Sequence, residues 1–247
     1  MAVTKTMVKI KIDGKEYQTE EGKTVMEVTR DNLIYIPSLC DHEGIAPYGA
    51  CRLCMVEVER RGRTRLVTAC LYPVEKGLTV KTDTPKVIAS RNMTLQFLLA
   101  RCPDSDVLQQ LAVKLGVEND KFPAEDGNKK CILCALCARA CEEVVGQSAI
   151  SLANRGVDRQ QATPFNAFSE ACIACGSCAY VCPTGAIQVE DIDGKRRITM
   201  PHTTMEFPLK QCAACGRYFA PEKQLRHIIK KANLPDDFFD KCTDCRD

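Results

Sequence analysis

The chain has 247 residues, with 34 Lys or Arg, 32 Asp or Glu and a formal net charge of +2 at pH 7. This balance argues against a broad nucleic-acid-binding surface and against a protein held on a membrane surface. The sequence has no run of 18 apolar residues, and its start alternates like a strand without an apolar signal core. We therefore expect a cytoplasmic protein without a membrane span, long enough for two domains or several small ones.

Cysteine is the most informative residue type, because the chain contains 17 of them. In a secreted protein they would indicate a disulfide framework, whereas in a reducing compartment they indicate metal binding. The spacing C-x-x-C recurs along the chain and suits two thiolates on one metal better than a disulfide. The cysteines sort into a set of four, a set of eight, a second set of four and one left over.

Residues 1–83 are predicted to form a small mixed sheet, with a hairpin that turns at Asp13-Gly14 and a helix in "TVMEVTRDNL". Gly49 and Ala50 would let backbone N–H groups approach inorganic sulfide. The gaps of ten, two and fifteen residues in this segment fit four thiolates on one 2Fe-2S cluster, with a structural zinc site as the alternative. The candidate ligands are Cys40, Cys51, Cys54 and Cys70.

This spacing is a stretched version of the plant-type arrangement. It resembles the N-terminal domain of the large cluster-carrying subunit of respiratory complex I. Relatives of that domain occur in NAD-linked hydrogenases and formate dehydrogenases. The resemblance covers roughly residues 5–200 and implies an α+β chain that opens with a β-grasp 2Fe-2S ferredoxin domain.

Residues 84–125 depart from that family, which carries one His and three Cys here for a further 4Fe-4S cluster. Cys102-Pro103 stands where the family has His-Pro, and the three cysteines are absent. We interpret the segment as a helical module without its cluster, and Cys102 as a buried free thiol. Asp104 or Ser105 is expected to cap the second of its two helices. The expected apolar positions are Leu95, Leu98 and Leu99, then Val107, Leu108, Leu111, Ala112 and Leu115.

Residues 126–200 contain two cysteine runs of identical spacing and similar following segments, "SAISL" and "GAIQV", which predicts a pseudo-symmetric double 4Fe-4S ferredoxin domain. In such domains the fourth cysteine of each run ligates the cluster of the other run. The first cluster is therefore assigned to Cys131, Cys134, Cys137 and Cys182. The second is assigned to Cys172, Cys175, Cys178 and Cys141.

The two runs differ after the fourth cysteine, where Glu142 replaces the proline that stands at Pro183. Proline is not a ligand, and an acidic residue is acceptable if a helix begins at once, since it suits a helix N-terminus. The 30 residues between Cys141 and Cys172 exceed what a minimal ferredoxin needs. They predict a short hairpin or an extended loop, either for docking or as a solvated insertion.

Residues 201–247 hold two C-x-x-C pairs 26 residues apart, separated by a helix that opens at Pro221 with Leu225, Ile228 and Ile229 on one face. Two such pairs around a small core predict a zinc-ribbon-like tail, with a further iron-sulfur cluster as the alternative. His227 is expected on the surface rather than as a ligand. The predicted zinc ligands are Cys212, Cys215, Cys242 and Cys245.

The sequence lacks the glycine fingerprints of dinucleotide and phosphate sites and the G-x-S-x-G elbow, and its histidines (His42, His202 and His227) are scattered. Since no substrate, flavin or nicotinamide site is evident, we predict an electron-transfer subunit of an NAD(P)-linked oxidoreductase complex. The resemblance implies three partners: a flavoprotein that oxidises NAD(P)H, a small thioredoxin-like 2Fe-2S subunit, and a hydrogenase or formate dehydrogenase subunit. Electron-bifurcating complexes share this arrangement. The alternative is an iron-sulfur or zinc module with a sensing or structural role.

Overall fold

The computed structural model describes residues 6–118, 121–125 and 129–246. It divides into two compact units, Met1–Cys134 and Ala135–Asp247. In the described part of the chain, no helix is both long and apolar enough to cross a lipid bilayer. The domain boundaries predicted from the sequence remain predictions.

The first unit is built on a mixed five-stranded sheet, as the sequence predicts. Its strands have the order β2-β1-β5-β3-β4, with β1 parallel to β5 and the other neighbours antiparallel. The helix α1, Val25–Asp31, begins with a capping box between Thr24 and Glu27. The strands are β1 (Met7–Ile12), β2 (Lys15–Glu20), β3 (Met55–Arg60), β4 (Arg63–Thr68) and β5 (Thr79–Lys81).

The core of this sheet follows from strand alternation. Val8, Ile10 and Ile12 are buried while the residues between them are exposed, so one face of β1 packs against Val25 and Val28 of α1. The predicted hairpin turn is confirmed, because Ile12 pairs with Lys15 across it. The sheet therefore supplies a rigid base for the cysteine loop that lies between α1 and β3.

Two helices follow, α2 (Pro85–Arg101) and α3 (Asp106–Leu115). Leu95, Leu99, Leu108, Leu111 and Ala112 are buried as expected. The expectation for Val107 was wrong, because this side chain is 37% exposed. Its position, one residue before Leu108, places it about 100° from Leu108 around the helix and outside the edge of the buried stripe.

Helix α3 begins where the sequence predicts, but without the expected capping hydrogen bond. Ser105 occupies the N-cap, yet its hydroxyl forms no capping hydrogen bond and lies buried. Gly116 ends the helix in the left-handed conformation at φ +64°, where a residue without a Cβ is favoured.

The second unit contains a four-stranded antiparallel sheet of order β11-β10-β9-β8 and a separate two-stranded hairpin, β6-β7. This hairpin confirms one of the two structures expected between the cysteine runs, a short hairpin rather than an extended loop. The strands are β6 (Ser151–Ala153), β7 (Gln160–Ala162), β8 (Gln188–Ile192), β9 (Lys195–Thr199), β10 (Thr204–Gln211) and β11 (Tyr218–Pro221). The helices are α4 (Leu136–Arg139), α5 (Ser177–Tyr180) and α6 (Glu222–Ala232).

The helix around Glu142 differs from the expectation. The helical segment begins at Leu136 as α4 and continues without a break as a π-helical turn, Ala140–Val144. Glu142 therefore lies inside a helix rather than at the N-terminus of a new one. Proline would be unfavourable here because it lacks an N–H and clashes with the preceding turn. In the second run α5 ends at Tyr180, before Pro183, so proline is tolerated there.

The insertion between the two runs packs against β10 and α6. Phe168 and Phe207 place their ring centroids 5.2 Å apart. The ammonium of Lys223 lies 5.0 Å from the Phe168 centroid and forms a 2.8 Å ion pair with Glu170. Phe207 is 1% exposed and belongs to a core that includes Cys172 and Cys178. The insertion is thus tied to the same core as the second cysteine run.

Candidate metal centres

The four cysteines of the first set come together from two loops, one before β3 and one after β4. All four are at most 4% exposed. The backbone N–H of Cys51 donates to Cys40 Sγ at 3.3 Å, and the N–H of Leu39 donates to Cys51 Sγ at 3.4 Å. The sulfurs of Cys54 and Cys70 lie 3.4 Å apart. The loop therefore forms a buried sulfur pocket supplied with backbone donors.

Hydrogen bonds between these thiols shift their pKa values in opposite directions. Hydrogen bonding with Cys51, and then with Cys70, lowers the pKa of Cys40, while hydrogen bonding with Cys70 lowers the pKa of Cys54. Hydrogen bonding with Cys40 raises the pKa of both Cys51 and Cys70. Buried sulfurs this close cannot all be thiolates unless cations lie between them. Iron supplies those cations in a 2Fe-2S cluster, so the residues fit such a group.

The backbone around this pocket is unusual at two positions. Gly49 has φ +71°, and a Cβ placed there would stand 2.5 Å from Leu71 Cδ1. Arg52 also has a positive φ, +56°, between the two cysteines of the C-x-x-C step. The turn needs left-handed backbone on both sides of Cys51, which explains the glycine.

In the second unit, the four cysteines assigned to the second 4Fe-4S cluster line one cavity. Cys141 comes from the first run and the other three from the second, as crossed ligation requires. The N–H of Ala149 donates to Cys141 Sγ at 3.3 Å, and burial raises the pKa of the Cys178 thiol to about 12. The cavity also touches Val145, Gly176 and Ile198. This donor set fits a cubane in chemistry and in the chain positions that it combines.

The loop of the second run is held from outside by a charged pair on the sheet. Ala174 is fully buried with φ +60°, and Arg196 Nη1 donates to its carbonyl at 3.2 Å. Two 2.7 Å hydrogen bonds join the Arg196 guanidinium to the Asp191 carboxylate. Ser177 Oγ lies 3.3 Å from Cys175 Sγ. The strand β9 thereby fixes the backbone between Cys172 and Cys175.

The cysteines assigned to the first 4Fe-4S cluster are divided between the two units. Cys131 and Cys134 belong to the first unit, and Cys137 and Cys182 belong to the second. Within the first unit, Arg101 Nε donates to the Cys131 carbonyl at 3.1 Å. This ligand set remains a prediction from the spacing.

Cys102 is a buried thiol, as expected. It is 0% exposed, forms no disulfide and ends α2, where its N–H donates to the Leu98 carbonyl at 2.9 Å. Burial raises the pKa of its thiol to about 11.

The tail brings its four cysteine sulfurs within 4.8 Å of one another. Cys212 and Cys242 are buried, Cys245 is half-buried and Cys215 is exposed. The N–H of Cys242 donates to Cys212 Sγ at 3.3 Å, and backbone hydrogen bonds from Cys215 and Cys242 lower the pKa of Cys212 to about 6. The group is therefore a candidate metal site, and His227 on α6 is not part of it.

Arginines near the sulfurs were not anticipated from the sequence. Arg217 Nη2 lies 3.6 Å from Cys242 Sγ and pairs with Asp244. Arg91 donates to the carbonyl of Met55, the residue after Cys54. An arginine four residues after Val87 and four before Leu95, both buried, is a sequence signal that could have identified Arg91. Arg196 and Arg217 carry no comparable signal.

Comparison with protein families gives two matches. A family model described as a 2Fe-2S iron-sulfur cluster binding domain matches residues 5–85. A second, described as a 4Fe-4S dicluster domain, matches residues 130–186. The chain thus carries a 2Fe-2S domain followed by a 4Fe-4S dicluster domain, in the order predicted.

Curated relatives include a component of NADH-quinone oxidoreductase from Rhizobium meliloti, 33% identical over 206 residues. The alpha subunit of NADPH-Fe(3+) oxidoreductase from Geobacter sulfurreducens is 32% identical over 208 residues. Each match covers 73% of this chain and 24% of the relative, so the chain spans about a quarter of the length of these proteins.

A solved structure is also similar. It is a chain of an NAD⁺-reducing NiFe hydrogenase in the H2-reduced state, with 27% sequence identity and a TM-score of 0.56. The match covers 63% of this chain and 74% of the hydrogenase chain.

Proposed function

We propose that this chain is an electron-transfer subunit of an NADH- or NADPH-linked oxidoreductase complex, because it is similar to proteins of such complexes and carries iron-sulfur domains. The observation that carries the proposal is the convergence of cysteines at separate places in one chain. One buried set lies beside β3, and a second set lines the cavity of the dicluster domain. Several redox-capable sites in one chain describe a relay rather than a reaction centre.

The proposed ligand sets are those predicted from the spacing. Cys40, Cys51, Cys54 and Cys70 hold a 2Fe-2S cluster, while the two runs hold two 4Fe-4S clusters with their fourth cysteines exchanged. When bound, these clusters supply one-electron transfer. The chain binds them with thiolates, donates backbone N–H groups to the sulfurs and keeps the first set away from water.

The names of the similar proteins support a proposal about the partners. The hydrogenase is named as NAD⁺-reducing, and the curated relatives are named for NADH and NADPH oxidation. We accordingly propose a flavoprotein NAD(P)H-oxidising subunit and a thioredoxin-like 2Fe-2S subunit on one side. A catalytic subunit of the hydrogenase or formate dehydrogenase type lies on the other. A reducing cytoplasm suits so many thiolates.

For the tail, the sulfur geometry favours one zinc ion over a fourth cluster. A zinc–thiolate bond of about 2.3 Å places tetrahedral sulfurs about 3.8 Å apart, which agrees with four sulfurs inside 4.8 Å. A cubane has an iron at each of four corners, so it holds its thiolates further apart. We therefore propose a structural zinc site at Cys212, Cys215, Cys242 and Cys245, in a zinc-ribbon-like tail.

The function is tested in the intact complex that purifies with this chain. Cys178→Ser removes one ligand from the second 4Fe-4S site and should abolish electron transfer from NAD(P)H to the terminal acceptor. The flavoprotein should still reduce an artificial dye, because its own site is untouched. Cys102→Ser is the matched control and should leave both activities unchanged.

The alternative class is a sensor or a structural module, in which the metals fold the chain and no electrons pass. Full NAD(P)-coupled turnover in a Cys178→Ser complex shown by EPR to lack the second 4Fe-4S cluster would contradict the relay. The sensor or structural interpretation would then be preferred.

A further inference from the structure

A buried cation lies beside the 2Fe-2S site. Arg91 is only 8% exposed, and it faces inward from α2 in line with Val87 and Leu95. Its Nε and Nη2 atoms both donate to the main-chain carbonyl of Met55, at 3.1 and 2.6 Å. Since Met55 directly follows Cys54, the guanidinium is held one residue away from a proposed cluster ligand.

The charge of Arg91 calls for a negative partner, because a buried ion is costly unless it is compensated. Within the described residues, Arg91 forms no ion pair with a carboxylate at 4.0 Å or less. Burial lowers the pKa of Arg91, and the strongest opposing influence comes from Cys54, ahead of Tyr35 and Asp13. Because the carbonyl that Arg91 binds belongs to the residue directly after Cys54, we take the sulfur site as its counter-charge.

We propose that the positive charge of Arg91 raises the reduction potential of the 2Fe-2S cluster. The inference rests on the cluster site proposed above. A binuclear cluster with four thiolates is an anion, and its negative charge grows by one when it accepts an electron. No bond to Arg91 forms or breaks in this step. A fixed positive charge nearby stabilises the reduced state more than the oxidised state, and so raises the reduction potential.

Two other arginines also donate to main-chain carbonyls near cysteine sites, but each is paired with a carboxylate. Arg101 binds the Cys131 carbonyl and lies 3.8 Å from Glu125. Arg196 binds the Ala174 carbonyl and is paired with Asp191. Among the described residues Arg91 has no such carboxylate partner, so its charge is not offset in this way.

The test is an EPR-monitored redox titration of the anaerobically purified full chain. Arg91→Gln should reduce the equilibrium constant for reduction of the 2Fe-2S cluster by about tenfold, which is about 59 mV for a one-electron couple. Arg91→Lys keeps the charge and should stay within about threefold of the unmodified chain, by the same relation. Lys86→Gln removes an equal charge from an exposed position on the same helix and should have no effect.

Two results would overturn the inference. The first is a potential in Arg91→Gln equal to that of Lys86→Gln. The second is loss of the cluster in Arg91→Lys as well as in Arg91→Gln, which would make the guanidinium a packing element rather than a charge. Failure of the cluster site itself is distinguishable, because the unmodified chain would then lack the 2Fe-2S signal altogether.

Discussion

The tail should depend on its metal for folding, and Cys242→Ser tests this dependence. Cys242 is 1% exposed, its N–H bonds Cys212 Sγ, and its sulfur accepts from Arg217. Serine cannot replace the thiolate on zinc, so the variant should lose one zinc per chain. We expect the segment from α6 to the C-terminus to unfold locally while the iron-sulfur domains remain folded.

The size of this effect depends on the other interactions that stabilise the tail. The helix α6 has 11 residues, which is too short to be stable alone in water, and Leu225 is its buried side chain. Burying one leucine contributes about 1.5–3 kcal/mol. A structural zinc site in a small peptide contributes about 10–16 kcal/mol, which is several times as much. The metal term therefore decides whether this segment is folded.

The assay is limited trypsin digestion with mass spectrometry, together with metal analysis of the same sample. Cleavage at Arg226, Lys230 and Lys231 of α6 should be rapid in Cys242→Ser and slow in the unmodified chain. Cys102→Ser controls for removal of a buried thiol elsewhere. A Cys242→Ser chain that lacks zinc but resists trypsin as well as the unmodified chain would refute the reasoning.

Three further predictions concern the clusters and their core. Anaerobic iron analysis should give about ten irons per chain, from one 2Fe-2S and two 4Fe-4S clusters, whereas about fourteen would indicate another cubane. Cys182→Ala should damage the cluster of the run at Cys131 and spare the cluster of its own run; EPR signals with the opposite pattern would exclude crossed ligation. Phe207→Ala should lower the free energy of unfolding of the second unit by about 3–5 kcal/mol, measured by denaturant titration, because this ring is 1% exposed in the core. An unchanged midpoint would mean that the insertion and β10 do not share that core.

Much of this architecture could be predicted because the spacing of cysteines along a chain reflects the geometry of the metal site that they form. The four sulfurs of the tail lie close together, and four cysteines from the two runs line the dicluster cavity, while the ligand sets themselves remain predictions. The hairpin at Asp13 followed from local turn chemistry, and helix α1 lies within the segment "TVMEVTRDNL" that was predicted to be helical.

The features that escaped prediction depend on tertiary contacts. Arg91 and Arg196 approach their sites from distant positions in the chain, and Arg217 reaches Cys242 across 25 residues, so these contacts cannot be read from local sequence. The π-helical turn that accommodates Glu142 is a continuation of α4, whereas sequence reasoning placed a helix start there. The prediction that Val107 lies on the buried face of α3 was wrong because the apolar stripe of a helix is narrow, and a shift of one residue moves a side chain towards solvent.

If electrons pass through this chain, rapid-freeze EPR of the anaerobically purified complex should detect its reduced clusters. After mixing with NADH or NADPH, the 2Fe-2S and 4Fe-4S signals should appear within the time of one catalytic turnover. Clusters that remain oxidised while the complex completes many turnovers would exclude the electron-transfer role.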